Sequence, residues 1–595
     1  MKNIIIITFL ASILFSCNEA PQEKNLTSID DNSFSSLLEQ YYQDGLKLHP
    51  IEATYAGDHR YNNYFPNILL DSFKIAEKEH YQYFKNNALN FQKETLSKEE
   101  QLSREILLWD CNINLDGLAY HEDLTPINQM WSINLTMAQF ASGESAQPFD
   151  SPEDYDNWLL RLNGYFDWME TAILKMQEGI KKGYVLPKAI TTKVIPHLAN
   201  FIEEDIEQHL FYKPIKKMPN HFGEKEKNRI TEAYKKVIGD LVIPSYQKLH
   251  NFMKNDYLPY CRASSGIYDT PEGLKYYDHQ IKTYTTTEIS AEDIHQIGLN
   301  EVERIKDEME KVKQTVGFKG NLISFFDFVR NNKELMPYSQ PQQIIDNFKE
   351  IHNKMKPQLE KLFDITPKSK FEIRQTEAFR QASASAEYQP GSKDGSRPGI
   401  FYTPIPDATK YNVFSDEALF LHEAIPGHHY QVALTQENGN LPEFRKTLWY
   451  SAYGEGWALY TEALGKELGL YSDPYQYFGM LSMEMHRAIR LVVDPGMHAL
   501  GWTREQAIEY SLENEAESEA SIVSEIERYM ANPGQALSYK IGQLKIKELR
   551  TKAEKVLGDK FEIKQFHNEI LETGCIPLAL LENKIDNWIN NQKEI

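Results

Sequence analysis

Ser415-Asp416-Glu417-Ala418-Leu419-Phe420-Leu421-His422-Glu423-Ala424-Ile425-Pro426-Gly427-His428-His429 carries three imidazoles and a carboxylate in its last eight residues. Its first half reads as a helix start. Ser415 stands at the N-cap, Asp416 and Glu417 suit the positive end of the dipole, and Ala418 to Leu421 supply a buried stretch. Zinc hydrolases commonly use His-Glu-x-x-His, where two histidines at i and i+4 share a helix face and the glutamate acts as general base. Here the i+4 slot holds Pro426, which has no coordinating atom and no N–H to close a turn, so the helix must bend or loop out near Pro426-Gly427. On an undistorted helix His428 lies about 240° around from His422, and His429 lies roughly 10 Å further along the axis. A bulge of two extra residues brings His428 to the missing position; three would bring His429. The expected pair is His422 and His428, with His429 behind them.

A catalytic zinc site needs a third protein ligand and an open position. Tyr453-Gly454-Glu455-Gly456-Trp457-Ala458-Leu459-Tyr460-Thr461-Glu462 continues as a helical pattern in which Glu455 and Glu462 share a face. One of the two is expected to ligate. The flanking Gly454 and Gly456 suggest a close helix-to-helix approach at Glu455, whereas Glu462 suits an acceptor that orients a histidine ring.

Four motifs in one order carry a family resemblance: His422-Glu423-x-x-Pro426-Gly427-His428-His429-x-Gln431; Glu455-Gly456-Trp457-Ala458; Val492-Val493-Asp494-x-Gly496-Met497-His498-x-x-Gly501-Trp502; and Glu527-Arg528-Tyr529 with Pro533-Gly534-Gln535-Ala536-Leu537-x-Tyr539-Lys540-Ile541-Gly542-Gln543-Leu544. The chain resembles, over nearly its whole mature length, the bacterial lipoprotein family catalogued as domain of unknown function 885. That family is similar to gluzincin-type zinc metallopeptidases and, more distantly, to helical oligopeptidases. The resemblance implies a mainly α, metallopeptidase-like fold with a deep cleft and bound Zn2+. It also implies that the C-terminal motifs supply oxyanion donors and substrate contacts: His498 and Tyr539 first, then Tyr529 and Lys540, with Arg528 or Lys540 holding a substrate carboxylate.

Helical spacing bounded by turn residues recurs at 34–48, 69–96, 98–112, 152–183, 225–257, 290–316, 341–362, 505–529 and 536–557. Short extended stretches are expected at 371–376 and 396–404, just before the His422 helix. In enzymes of the resembled type an edge strand there pairs with the substrate backbone, and Tyr402 in Gly399-Ile400-Phe401-Tyr402-Thr403 is the expected contact. The turn-rich Gly391 to Gly395 is expected to border the cleft.

The N-terminus addresses the protein. Met1-Lys2-Asn3 and the apolar run Ile4 to Phe15 form a secretory signal too short to span a bilayer, ending in Leu14-Phe15-Ser16-Cys17. This string resembles a bacterial lipobox, so residues 1–17 are expected to end in a lipidated Cys17, 18–31 to form a tether, and 32–595 a single domain with its metal site within 396–545. The expected location is the bacterial cell envelope, periplasmic or surface-exposed, with a lipid anchor as membrane partner. Lys+Arg 64 against Asp+Glu 86 gives net charge −22, which argues against nucleic acid. Of Cys111, Cys261 and Cys575, only one pair could bridge.

These features point to zinc-dependent hydrolysis of short peptides, with Glu423 as base. A non-catalytic peptide- or metal-binding surface lipoprotein is the rival, and a zinc amidase acting on cell-wall peptides is a second. A pure binder has no need of Glu423 beside His422.

Overall fold

The structure is a computed structural model that describes residues 33–377, 385–392 and 397–594. Cys17 with its lipobox, the tether up to Asn32, and Lys393 to Gly395 of the turn-rich loop lie outside the described residues. The architecture is mainly α, as the repeated helical spacing predicts. Among the described residues no helix is long and apolar enough to cross a membrane, and Cys111, Cys261 and Cys575 are free thiols.

Local signals set the helix ends. Helix Pro152–Lys182 begins at a capping box between Ser151 and Asp154, has Pro152 in its first turn, and stops at Gly183, whose φ of +84° is left-handed. Its inner stripe, including Tyr155, Trp158, Leu162, Tyr165, Met169 and Met176, is buried in the core of the N-terminal half. Each such side chain contributes about 1.5–3 kcal/mol by leaving water. One expectation fails at a break: 505–529 divides into Arg504–Asn514 and Glu519–Ala531. The run 225–257 is helical throughout, with wider turns at Ile238–Val242 and Phe252–Tyr257.

Eight helices and a small sheet position the site. They are α1 (Ala291–Thr315), α2 (Pro341–Leu362), α3 (Asp416–Glu423), α4 (His428–Glu437), α5 (Ser451–Ala463), α6 (Pro474–His498), α7 (Glu519–Ala531) and α8 (Ser538–Leu557). α1 lies along α6, where Gly298 meets the backbone of Leu491. α5 lies along α8, where a Cβ on Gly456 would stand 2.5 Å from the Gly542 Cα. The close approach expected beside Glu455 is therefore a glycine-to-glycine crossing. Gly454 has a different partner: a Cβ there would stand 2.2 Å from the Trp449 indole.

The sheet runs β1 (Phe371–Gln375), β3 (Gly399–Thr403), β2 (Glu387–Gln389), with β1 parallel and β2 antiparallel to β3. This corrects one expectation. The Gly399–Thr403 strand is central and buried throughout, so its backbone is paired on both sides and cannot receive a substrate strand. Tyr402 pairs in register with Arg374 and Glu387 and is buried.

Candidate metal centre

α3 ends at Glu423, and the chain crosses Ala424 to Gly427, through a cis Ile425-Pro426 bond, before α4 begins at His428. The expected bulge is thus a full break between two helices. Gly427 lies under the end of α3, where a Cβ would stand 1.9 Å from the His422 carbonyl oxygen. Carbonyls stranded by such a break need donors. α5 supplies them: the Trp457 indole N–H donates to the Pro426 oxygen at 2.8 Å, and the Thr461 hydroxyl donates to the Leu421 oxygen at 2.9 Å.

This stitching turns His422 and His428 toward Glu455. The Glu455 Oε2 lies 3.5 Å from His422 Nε2 and 3.4 Å from His428 Nε2, and one donor atom from each of the three residues lies within 4.8 Å of the others. Bonds of 2.0–2.2 Å to a tetrahedral zinc would put neighbouring donors about 3.3 Å apart, so the spacing suits that ion. His422 Nδ1 bonds to Glu462 Oε1 at 2.7 Å, which fixes its ring with Nε2 facing the centre. The Nδ1 of His428 is buried without a hydrogen-bond partner among the described residues.

The electrostatics fit a cation. Burial works against charge on His422, but Glu455 and Glu462 outweigh it and raise its pKa to about 9. Burial likewise opposes the Glu455 charge, yet His428 and His422 hold its carboxyl well below the usual range. Positive charge is therefore wanted at the centre, as protons or as a metal ion. Glu423 is buried beside the trio, its pKa raised by burial despite His422 and His428. Its carboxylate has no hydrogen bond to any described residue.

His429 points elsewhere. Its Nδ1 meets the Tyr388 hydroxyl at 3.1 Å and its ring packs on Phe371 at 4.8 Å, on the sheet side of α4. Burial lowers its pKa to about 4.

The C-terminal motifs divide. Tyr539 lies within electrostatic reach of Glu455 and under the Arg490 guanidinium, 4.5 Å from the ring centroid, and its hydroxyl bonds to no described residue. Four other residues have structural partners instead. His498 is fully buried, with Nδ1 accepting from the Ile267 N–H at 3.1 Å and Nε2 donating to the Tyr529 oxygen at 3.0 Å, so neither nitrogen is left for an oxyanion. Lys540 is fully buried and bonds to Glu484 at 2.7 Å, Gln543 at 2.7 Å and Glu301 at 2.8 Å, tying α8 to α6 and α1. Arg528 gives two N–H bonds to Glu525 and one to Gln535. Tyr529 donates its hydroxyl to Glu525 and accepts from Arg490.

The sequence reading missed Trp449, Arg487 and Arg490. Trp449 is 47% exposed with its ring 5.9 Å from that of His428. The two arginines lie on α6, and Arg487-x-x-Arg490 within an apolar run was the available signal. The centre is buried at His422 and partly exposed at the side chains of His428 and Glu455, and two open surface hollows, one by Pro244 and Lys248 and one by Ile508 and Leu512, do not touch it.

The model of the family described as "Bacterial protein of unknown function (DUF885)" matches residues 50–585. The chain belongs to this family. Two solved structures are similar along almost all of the chain, each described as a "putative lipoprotein". The one from Colwellia psychrerythraea is 28% identical, covers 94% of this chain and 99% of its own, and has a TM-score of 0.85. The one from Shewanella oneidensis, described as of unknown function, is 18% identical, covers 93% and 99%, and has a TM-score of 0.71, a likeness of fold. No curated protein matches.

Proposed function

We propose that this DUF885 protein is a zinc-dependent hydrolase of peptide bonds, held at the bacterial envelope by a lipid on Cys17. The observation that carries the reading is the convergence of His422, His428 and Glu455 on one point with the unpaired Glu423 carboxylate beside it. His422, His428 and Glu455 would hold the ion, and Glu462 orients His422. When bound, zinc supplies Lewis acidity that polarises a carbonyl and lowers the pKa of water. Glu423 then takes the water proton and passes it to the leaving nitrogen, a role that a buried carboxylate of raised pKa suits. The free Tyr539 hydroxyl is the donor for the developing oxyanion. Similarity to two described lipoproteins and the lipobox-like Leu14-Phe15-Ser16-Cys17 support the anchor.

Metal analysis of the purified chain followed by incubation with a mixed peptide library tests ion and reaction together. Glu423→Gln is expected to keep the metal and lower turnover by about 100- to 10,000-fold. Full activity in that variant would rule out this mechanism, and a chain that binds zinc but leaves every peptide intact would favour the non-catalytic binder.

A further inference from the structure

We propose that Arg487 binds a carboxylate of the substrate, its free C-terminus, so that cleavage occurs next to the end of the peptide; this rests on the metallopeptidase reading above. Arg487 lies on α6, partly buried, one turn before Arg490. Its guanidinium is 5.9 Å from the Tyr539 ring centroid, and it acts electrostatically on both Tyr539 and Glu423. It therefore lies beside Tyr539 and within electrostatic range of Glu423.

Its hydrogen bonding is less complete than that of the arginines around it, although Arg490 Nη1 is also buried without a partner among the described residues. Arg528 and Arg490 share Glu525, and Arg490 also meets Tyr529 and His486. Arg161 and Arg262 have no carboxylate partner among the described residues, but neutral oxygens take their N–H groups, except for Arg161 Nε. Arg487 makes one 3.3 Å bond, from Nη1 to the Met483 oxygen of its own helix. Its Nε is buried with no partner, and no described carboxylate lies within 4.0 Å of it. Glu517 is within electrostatic reach but forms no ion pair with it. Leaving a half-buried guanidinium so poorly matched is unfavourable, and a carboxylate accepting from the terminal Nη1 and Nη2 would give it the partner it lacks.

The local charge favours the same ligand. Arg487, Arg490 and Arg528 stand against two carboxylates, Glu525, which Arg490 and Arg528 share and His486 also meets at 3.4 Å, and Glu517 within electrostatic reach of Arg487, while His486 is paired with Glu515 at 2.6 Å. An anion entering beside Arg487 meets a net positive wall that packs on the Tyr539 ring, itself within electrostatic reach of Glu455. In the reaction, the water oxygen bonds to the carbonyl carbon, the C–N bond breaks, and Glu423 transfers the water proton to the departing nitrogen. The products are a shortened peptide and the C-terminal fragment that carried the bound carboxylate.

Calorimetric titration of the zinc-loaded full chain carrying Glu423→Gln separates binding from turnover. The probes are Ala-Ala-Phe, its C-terminal amide, and an amidated peptide of the same length with a glutamate side chain. The free acid is expected to bind roughly 10- to 100-fold more tightly than its amide, the effect of one charge-assisted contact. Adding Arg487→Gln should bring acid and amide to the same affinity with zinc content unchanged, and Arg487→Lys should restore part of the difference. Equal binding of acid and amide, no binding of either, or a preference that survives Arg487→Gln overturns the proposal. Preference for the amidated glutamate peptide over the free acid overturns the C-terminal assignment. Hydrolysis is read separately with Glu423 intact: tight acid binding through Arg487 without cleavage of any peptide would sink the peptidase reading and leave the carboxylate site standing.

Discussion

The pairs His422/His428 and His498/His567 are all buried but use their ring nitrogens differently. His498 and His567 are cross-links. The first joins the Ile267 N–H to the Tyr529 oxygen, and the second joins the Leu362 oxygen to the Tyr460 hydroxyl. With both ring nitrogens matched by neutral groups, burial keeps each imidazole neutral, with a pKa of about 3. His422 uses one nitrogen on Glu462 and turns the other, with His428 and Glu455, to a common centre. What separates a candidate ligand from a structural histidine is where its second nitrogen points, not its burial or its place in a motif.

The comparison breaks most visibly in zinc affinity. His422→Ala and His428→Ala are expected to abolish tight binding, Glu462→Gln to weaken it about 10- to 100-fold, and His429→Ala to leave it intact. A zinc titration in which His429→Ala loses the ion and His428→Ala keeps it would reverse the assignment.

Lys540→Ala tests whether a buried cation of the C-terminal motifs is structural. It would leave Glu484 buried with fewer cations, and a loss of about 3–5 kcal/mol in denaturant unfolding is expected, with zinc binding kept in the folded fraction. Normal stability with raised KM would return Lys540 to substrate binding. Gly542→Ala has a smaller effect on a different joint. Its Cβ would stand 1.8 Å from the Ala452 oxygen and 2.7 Å from the Gly456 Cα, so α5 must shift. Overpacking of about 1–3 kcal/mol is expected, together with weaker zinc binding because Glu455 moves with α5. Unchanged zinc affinity would mean the crossing does not position the ligand.

The last effect is a slope. The folded His498 pKa of about 3 lies below its ordinary 6.5, so at acid pH the unfolded chain takes up a proton that the native chain refuses. This contribution to stability is complete above about pH 6.5 and is lost, at about 1.4 kcal/mol per pH unit, as pH falls toward 3. His498→Gln can keep both hydrogen bonds, so its unfolding free energy should fall less steeply between pH 6 and 4, with turnover at neutral pH unchanged. A large loss of turnover in that variant would restore a catalytic His498.

Legibility differed by element. Helices Phe34–Leu48 and Pro341–Leu362 were readable to the residue, because each has a one-sided apolar stripe and clear end signals. α6 was not read as a helix at all. It is buried on nearly every face from Arg490 to His498 and contains Val492-Val493 and Pro495-Gly496, so no stripe stands out and the composition suggests a break. The residues on which the carboxylate proposal rests therefore lie in the least legible helix of the site.

The sequence by itself determined the mainly helical class and the family, and narrowed the candidate ligands to His422 with His428 or His429 and Glu455 or Glu462, because helical period, a proline in the i+4 slot and glycines beside a glutamate each constrain local geometry. Only the tertiary structure decided that the proline is met by a complete helix break, that His429 turns to the sheet, that His498, Lys540 and Arg528 have partners inside the fold, and that Arg487 lacks a carboxylate. The physical reason is that a side chain's capacity for hydrogen bonds is written in its residue type, whereas whether that capacity is spent depends on carbonyls, carboxylates and N–H groups brought in from distant parts of the chain.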